Sequence, residues 1–146
     1  MIGIGVIGCG GMGRINARLL KREDAGLEFR ALFDPDPDAV ANMRAELEED
    51  VKAYDTYEQV IADPSDDWVI IASWNCYHAE QAIAAFDAGK HVFCQKPLAT
   101  TIEDCKAMYE AWQRSDCMFN IAFTLRYSPH YRRIRELIQA GEGGRI

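Results

Sequence analysis

Nothing in this sequence supplies a surface for polyanions. Its 146 residues carry 16 Lys and Arg against 23 Asp and Glu, a formal net charge of −7. Non-specific contact with nucleic acid or an anionic membrane needs a basic face, so neither partner is expected. No apolar run approaches the roughly 18–20 residues that cross a bilayer. The apolar opening MIGIGVIGCGGMG has no basic residue ahead of it, whereas a secretory signal puts its charge first. The cysteines, Cys9, Cys76, Cys94, Cys105 and Cys117, are odd in number and form no C-x-x-C pair. A disulfide framework, a zinc knuckle and a thioredoxin-type site are all disfavoured, and unpaired thiols suit the reducing cytoplasm. No pair among the histidines has metal-ligand spacing, so no metal site is expected. A G-x-S-x-G nucleophile turn, a fixed-period repeat and low-complexity segments are also missing.

What is present is a core-forming composition, 49% hydrophobic, in a length that suits one domain. Apolar runs alternate with amphipathic stretches. Strands are expected at 2–7, 27–33, 51–54, 68–72, 90–95 and 117–123. Helices are expected at 12–22, 37–49, 56–62, 78–88, 101–114 and 129–140. The first helix carries Met12, Ile15, Leu19 and Leu20 on one face. The last carries Tyr131, Ile134, Leu137 and Ile138 on one face, while Arg132, Arg133 and Arg135 fall mainly off it, as a solvated side. Thr101 is the expected N-cap of the fifth helix, and Gly89 closes the fourth. Six strands alternating with helices predict an α/β fold, a doubly wound parallel sheet of Rossmann type with strand order 3-2-1-4-5-6. The tail GEGGRI, 141–146, ends on what reads as the start of a further strand. The chain is therefore expected to divide into a dinucleotide-binding unit at 1–123 and a segment at 124–146 that leads into a domain not included in it.

Gly8-Cys9-Gly10-Gly11-Met12-Gly13 matches G-x-G-x-x-G. The string alone is a weak signal. Here it follows an expected strand and opens an expected helix, and Asp34 ends the second strand about 20 residues further on. Gly8 permits the tight turn, Gly10 lets backbone approach a pyrophosphate, and Gly13 lets helix and strand pack closely. The helix N-terminus, with Gly11 and Met12, offers free N–H groups and a partial positive charge to phosphate. Asp34 can accept from the adenosine ribose hydroxyls. Asp36 and Asp38 add two carboxylates nearby, with no Arg or Lys between Asp34 and Arg44. A 2′-phosphate about 4 Å from one carboxylate is repelled by roughly 1 to 4 kcal/mol. The expected cofactor is NAD, with NADP and a flavin disfavoured. Cys9 reads as a small side chain that fits the turn, or alternatively as a redox-sensitive thiol beside the phosphates.

Further on, the fourth strand runs into Ser73-Trp74-Asn75-Cys76-Tyr77-His78 and the fifth into Gln95-Lys96-Pro97. Loops at the carboxyl ends of such strands face the ligand crevice. Ser73 and Asn75 can bond ribose or the nicotinamide carboxamide. Lys96 brings a cation to the nicotinamide end. His78 reads as a cofactor-side residue or as a helix-start histidine satisfied by backbone.

In this set of elements the sequence resembles the glucose–fructose oxidoreductase / inositol dehydrogenase / rhizopine-catabolism (Gfo/Idh/MocA) family along its whole length. The motifs are the glycine turn, Asp34, a T-P-N-x-x-H-like segment at Ser73–His78, an E-K-P-like element at Gln95-Lys96-Pro97, and an R-[FY]-x-P element at Arg126-Tyr127-Ser128-Pro129. The resemblance implies a nicotinamide-binding domain followed by a larger α+β substrate domain that usually supplies a catalytic Asp and His and mediates assembly. Lys96 carries over as the lysine that contacts cofactor and substrate hydroxyl. Asn75, His78, Gln95 and Arg126 carry over as cofactor-side positions. Two residues depart from the pattern. Gln95 replaces a glutamate, keeping hydrogen bonding and losing a negative charge beside Lys96. Trp74 replaces a proline, with the nicotinamide pocket expected to narrow. The expected function is hydride transfer between a nicotinamide and a sugar, polyol or related hydroxy compound by the longer parent, in which a homo-oligomer is possible; the chain alone would lack catalytic completeness. A non-catalytic NAD-binding module and an NAD-using glycosidase or lyase are the alternatives.

Overall fold

The computed structural model describes residues 1–23, 26–47, 50–142 and 144. Strands β1 (Ile2–Ile7), β2 (Leu27–Phe33), β3 (Lys52–Ala53), β4 (Trp68–Ile71), β5 (His91–Cys94) and β6 (Phe119–Ile121) form one sheet, all pairs parallel. Its order is β3-β2-β1-β4-β5-β6, the expected doubly wound arrangement. The order reverses between β1 and β4, and the crevice opens there at the carboxyl edge.

β4 shows why the apolar runs are continuous. Val69 and Ile71 point to a core shared with α3 (Tyr57–Ala62), α4 (His78–Asp87) and α5 (Ile102–Arg114). Ile70, one residue out of phase, points to a second core with α1 (Gly11–Arg22) and α2 (Pro37–Leu47). All three are almost fully buried, each contributing roughly 1.5–3 kcal/mol of apolar burial. Helix starts follow local chemistry. The Thr56 hydroxyl accepts from the Gln59 N–H, and Thr101 accepts from the Asp104 N–H at 3.0 Å, as expected of an N-cap. Gly89, with φ 74°, takes the left-handed position after α4.

One expected helix face is corrected. On α1 the side toward the sheet is Gly13, Asn16 and Ala17, with Leu20 partly buried, while Met12, Ile15 and Leu19 are exposed. The cause is the close approach of α1 to β1. A Cβ on Gly13 would run into the Gly8 carbonyl oxygen, so only small side chains fit on that face. Helix α6 (Pro129–Gln139) forms where expected, yet buries no residue; Tyr131, Ile134 and Ile138 stay about half exposed. Strand β6 is shorter than expected because the chain turns at Ala122 into a 3-10 segment, Thr124–Tyr127. Glu48 and Glu49 at the expected end of α2, and Gly143, Arg145 and Ile146 in the tail, lie outside the described residues.

Candidate functional site

A cavity of about 780 Å³ follows the carboxyl edge of β1, β2, β4 and β5. Gly8, Gly10, Gly11, Met12, Asp34, Ser73, Asn75, His78, Gln95 and Lys96 all line it, so most of the expected site residues come together. Gly13 does not line it and acts in packing, as described above. Arg126 is placed elsewhere. It lines a second cavity of about 440 Å³ beside β6, with Trp112, Phe119 and Phe123.

The glycine turn fits a dinucleotide. Gly8 has φ 97°, and a Cβ there would strike the Ala72 and Ser73 backbone. A Cβ on Gly10 or Gly11 would meet nothing within 4 Å, so the backbone is open to the cavity at the N-terminus of α1. Asp34 is fixed from two sides. Its carboxylate accepts from the Cys9 N–H at 2.7 Å and from the Asp36 N–H at 2.9 Å. Asp36 in turn accepts from the Asp38 N–H at the start of α2. Of the three carboxylates only Asp34 lines the cavity; Asp36 and Asp38 serve the helix start. Two cations of α1 and α2 are committed, with Arg14 paired to Glu46 and Arg44 donating to the Val51 carbonyl. Cys9 is fully buried, and its thiol is pushed up to about 12 by burial and by Asp34. A thiol held protonated is unreactive, so Cys9 is the small side chain of the turn and the redox reading falls.

On the other side, the Ser73 hydroxyl donates to Gln81 Oε1 at 2.6 Å. The His78 ring is 1% exposed and spans two backbone carbonyls, Nδ1 2.9 Å from Pro97 O and Nε2 3.2 Å from Ser73 O. This is the backbone-satisfied alternative for His78, at a position that still walls the cavity. Gln95 is 4% exposed, and its Nε2 has no partner. Lys96 is exposed beside it. The β5 end thus offers a spare amide donor and a cation.

The sequence reading missed a hydrogen-bonded pair in the same wall. Tyr57, opening α3, donates its phenol to Glu80 Oε1 on α4 at 2.7 Å. Burial, then the Glu80 hydrogen bond, push the phenol up, so it keeps its proton. The available signal was positional: first turns after parallel strands border the crevice.

Residues 2–123 match the model of an oxidoreductase family with an NAD-binding Rossmann fold. The chain belongs to the Gfo/Idh/MocA oxidoreductase family. Among curated relatives of this family it is 38% identical to inositol 2-dehydrogenase 3 of Saccharopolyspora erythraea, over 94% of this chain and 40% of that one. It superposes on myo-inositol dehydrogenase of Lactobacillus casei, solved with NAD(H) and myo-inositol, with TM-score 0.89 and 29% identity, covering 97% of this chain and 42% of that one. Levoglucosan dehydrogenase in complex with NADH and L-sorbose gives TM-score 0.89 and 31% identity, covering 100% and 40%. The chain spans about 40% of the length of the curated relatives it matches. No helix among the described residues is long and apolar enough to cross a membrane.

Proposed function

We propose that this chain is the cofactor-holding half of an NAD-dependent dehydrogenase of cyclitols, polyols or sugars. The carrying observation is one continuous cavity with the glycine turn at β1, Asp34 at β2 and Lys96 after β5. The bound nicotinamide would supply the hydride acceptor or donor. Gly10, Gly11 and Met12 would hold its phosphates by N–H groups, and Asp34 its adenosine ribose. Ser73, Asn75 and His78 would shape the opposite wall. Lys96 would hold the substrate hydroxyl and stabilise negative charge developing on that oxygen. A second domain, filling the remaining length of the relatives, would supply the rest of the substrate site, with 124–146 as the lead into it. A cytoplasmic location fits the five free thiols, and assembly would rest on that second domain.

Calorimetric titration tests the cofactor assignment. NAD should bind at least about tenfold more tightly than NADP, because Asp34 repels a 2′-phosphate, and Asp34→Ala should narrow that gap. Equal affinities would overturn the preference. In the protein carrying the second domain, Lys96→Met should cut turnover about a hundredfold or more and leave NAD affinity within a few fold. Surviving turnover would make Lys96 an ordinary surface lysine.

A further inference from the structure

The cavity has polarity. Lys96 and Gln95 follow β5, whereas its carboxylates are carried by other elements, Asp34 after β2 and Glu80 in the first turn of α4. Tyr57 opens α3, which packs on β1 and β2. Helix α3 crosses beneath β1 and packs against α4, which is why the Tyr57 phenol reaches Glu80. Phe33 and Pro35, flanking Asp34, and Tyr77, one turn before Glu80, add flat apolar surface to the lining. A carboxylate accepts only. Tyr57 occupies Oε1, and among the described residues no other group donates to Glu80. An apolar slot closed by an oriented, half-used acceptor suits a flat heterocycle with a donor on its outer edge.

Adenine has that form, with its 6-amino group opposite the ribose. Hypoxanthine and guanine carry a 6-oxo oxygen there, which a carboxylate repels. Resting on the NAD reading above, we propose that Glu80, held in place by Tyr57, reads the 6-amino edge of the cofactor's adenine and makes this end of the crevice selective for adenine. Tyr57 is the positioning residue; Glu80 makes the contact.

The test compares NAD with nicotinamide hypoxanthine dinucleotide, which differs only at that edge, by calorimetric titration of this chain. The wild type should favour NAD by about tenfold or more, the scale of a charge-assisted hydrogen bond lost and replaced by repulsion. Glu80→Gln, whose amide can rotate to donate to a 6-oxo oxygen, should bring the two affinities within about threefold. Tyr57→Phe should reduce the discrimination by a smaller factor. Glu80 is exposed, so its substitution should leave the circular dichroism spectrum unchanged. Equal wild-type affinities, or full discrimination retained in Glu80→Gln, would overturn the assignment while NAD binding itself stood. A wild-type chain that bound neither dinucleotide would overturn the NAD reading and this inference with it.

Discussion

The two edges of the sheet treat a carboxylic acid in opposite ways. At the carboxyl edge, Asp34 has one oxygen on the Cys9 N–H and the other on the Asp36 N–H. Near the amino edge, Asp66 is 3% exposed and neither of its oxygens has a partner. Its neighbour Asp67 accepts from the Gly3 N–H, and Lys90 spends its ammonium on the Asp63 and Asp66 carbonyls. Burial, then the Asp63 charge, push the Asp66 carboxyl up to about 7. Donors aimed at an acid keep it ready for a ligand. Burial without donors turns an acid into a stability cost near neutral pH.

The comparison can be broken most sharply at the turn that organises the carboxyl edge. Gly8→Val would put a branched side chain at positive φ against the Ala72 backbone. A loss of about 3 kcal/mol or more in urea unfolding, with NAD binding abolished, is expected. Normal stability would show that the edge does not depend on this turn.

At the other edge, Asp66→Asn should stabilise the protein. The folded value of the acid is raised from 3.8 to about 7, so its protonated form supports the fold fully below about pH 4. That support is lost as pH rises through about 7. Unfolding of the wild type and Asp66→Asn should therefore coincide near pH 3.5, with the variant ahead by about 1–3 kcal/mol at pH 8. Asp34→Asn should have the opposite sign, losing about 1 kcal/mol because an amide cannot accept both N–H bonds. The same sign for both variants would remove the contrast between the edges.

The smallest effect concerns the thiols. Iodoacetamide at pH 8 should label exposed Cys76 readily and leave Cys9 and Cys94 unmodified, since burial holds both of these at about 12. Peptide mass spectrometry would read this directly. Labelling of Cys9 in the native state would mean that the turn opens.

Strand order and the crevice were legible because turn, acid and apolar runs each carry a local signal. Asp34 could be placed from its distance to Gly13 and its position at the end of a strand. The face of α1 could not, because its periodicity records where apolar residues are, whereas the contact is set by how close the backbone comes. Gly13 and Ala17 face the sheet through being small, and a search for large apolar residues passes over them. Helix α6 shows the converse, an apolar stripe none of whose residues is buried. The fate of Arg126 depended on where the chain turns after β6, which the short 3-10 segment decides. Tyr57 and Glu80 are 23 residues apart in sequence, and only the crossing of α3 brings them together.

The His78 ring has a mechanical consequence. It spans the carbonyls that end the β4 and β5 loops, at Ser73 and Pro97. A neutral imidazole owns a single N–H, so at any moment it donates to one of these and turns a lone pair toward the other. The ring therefore bonds one lip at a time, and the lone pair facing the other carbonyl oxygen makes no bond there. A substitution that moves the Ser73 carbonyl away would leave the ring to donate to Pro97, the residue after Lys96.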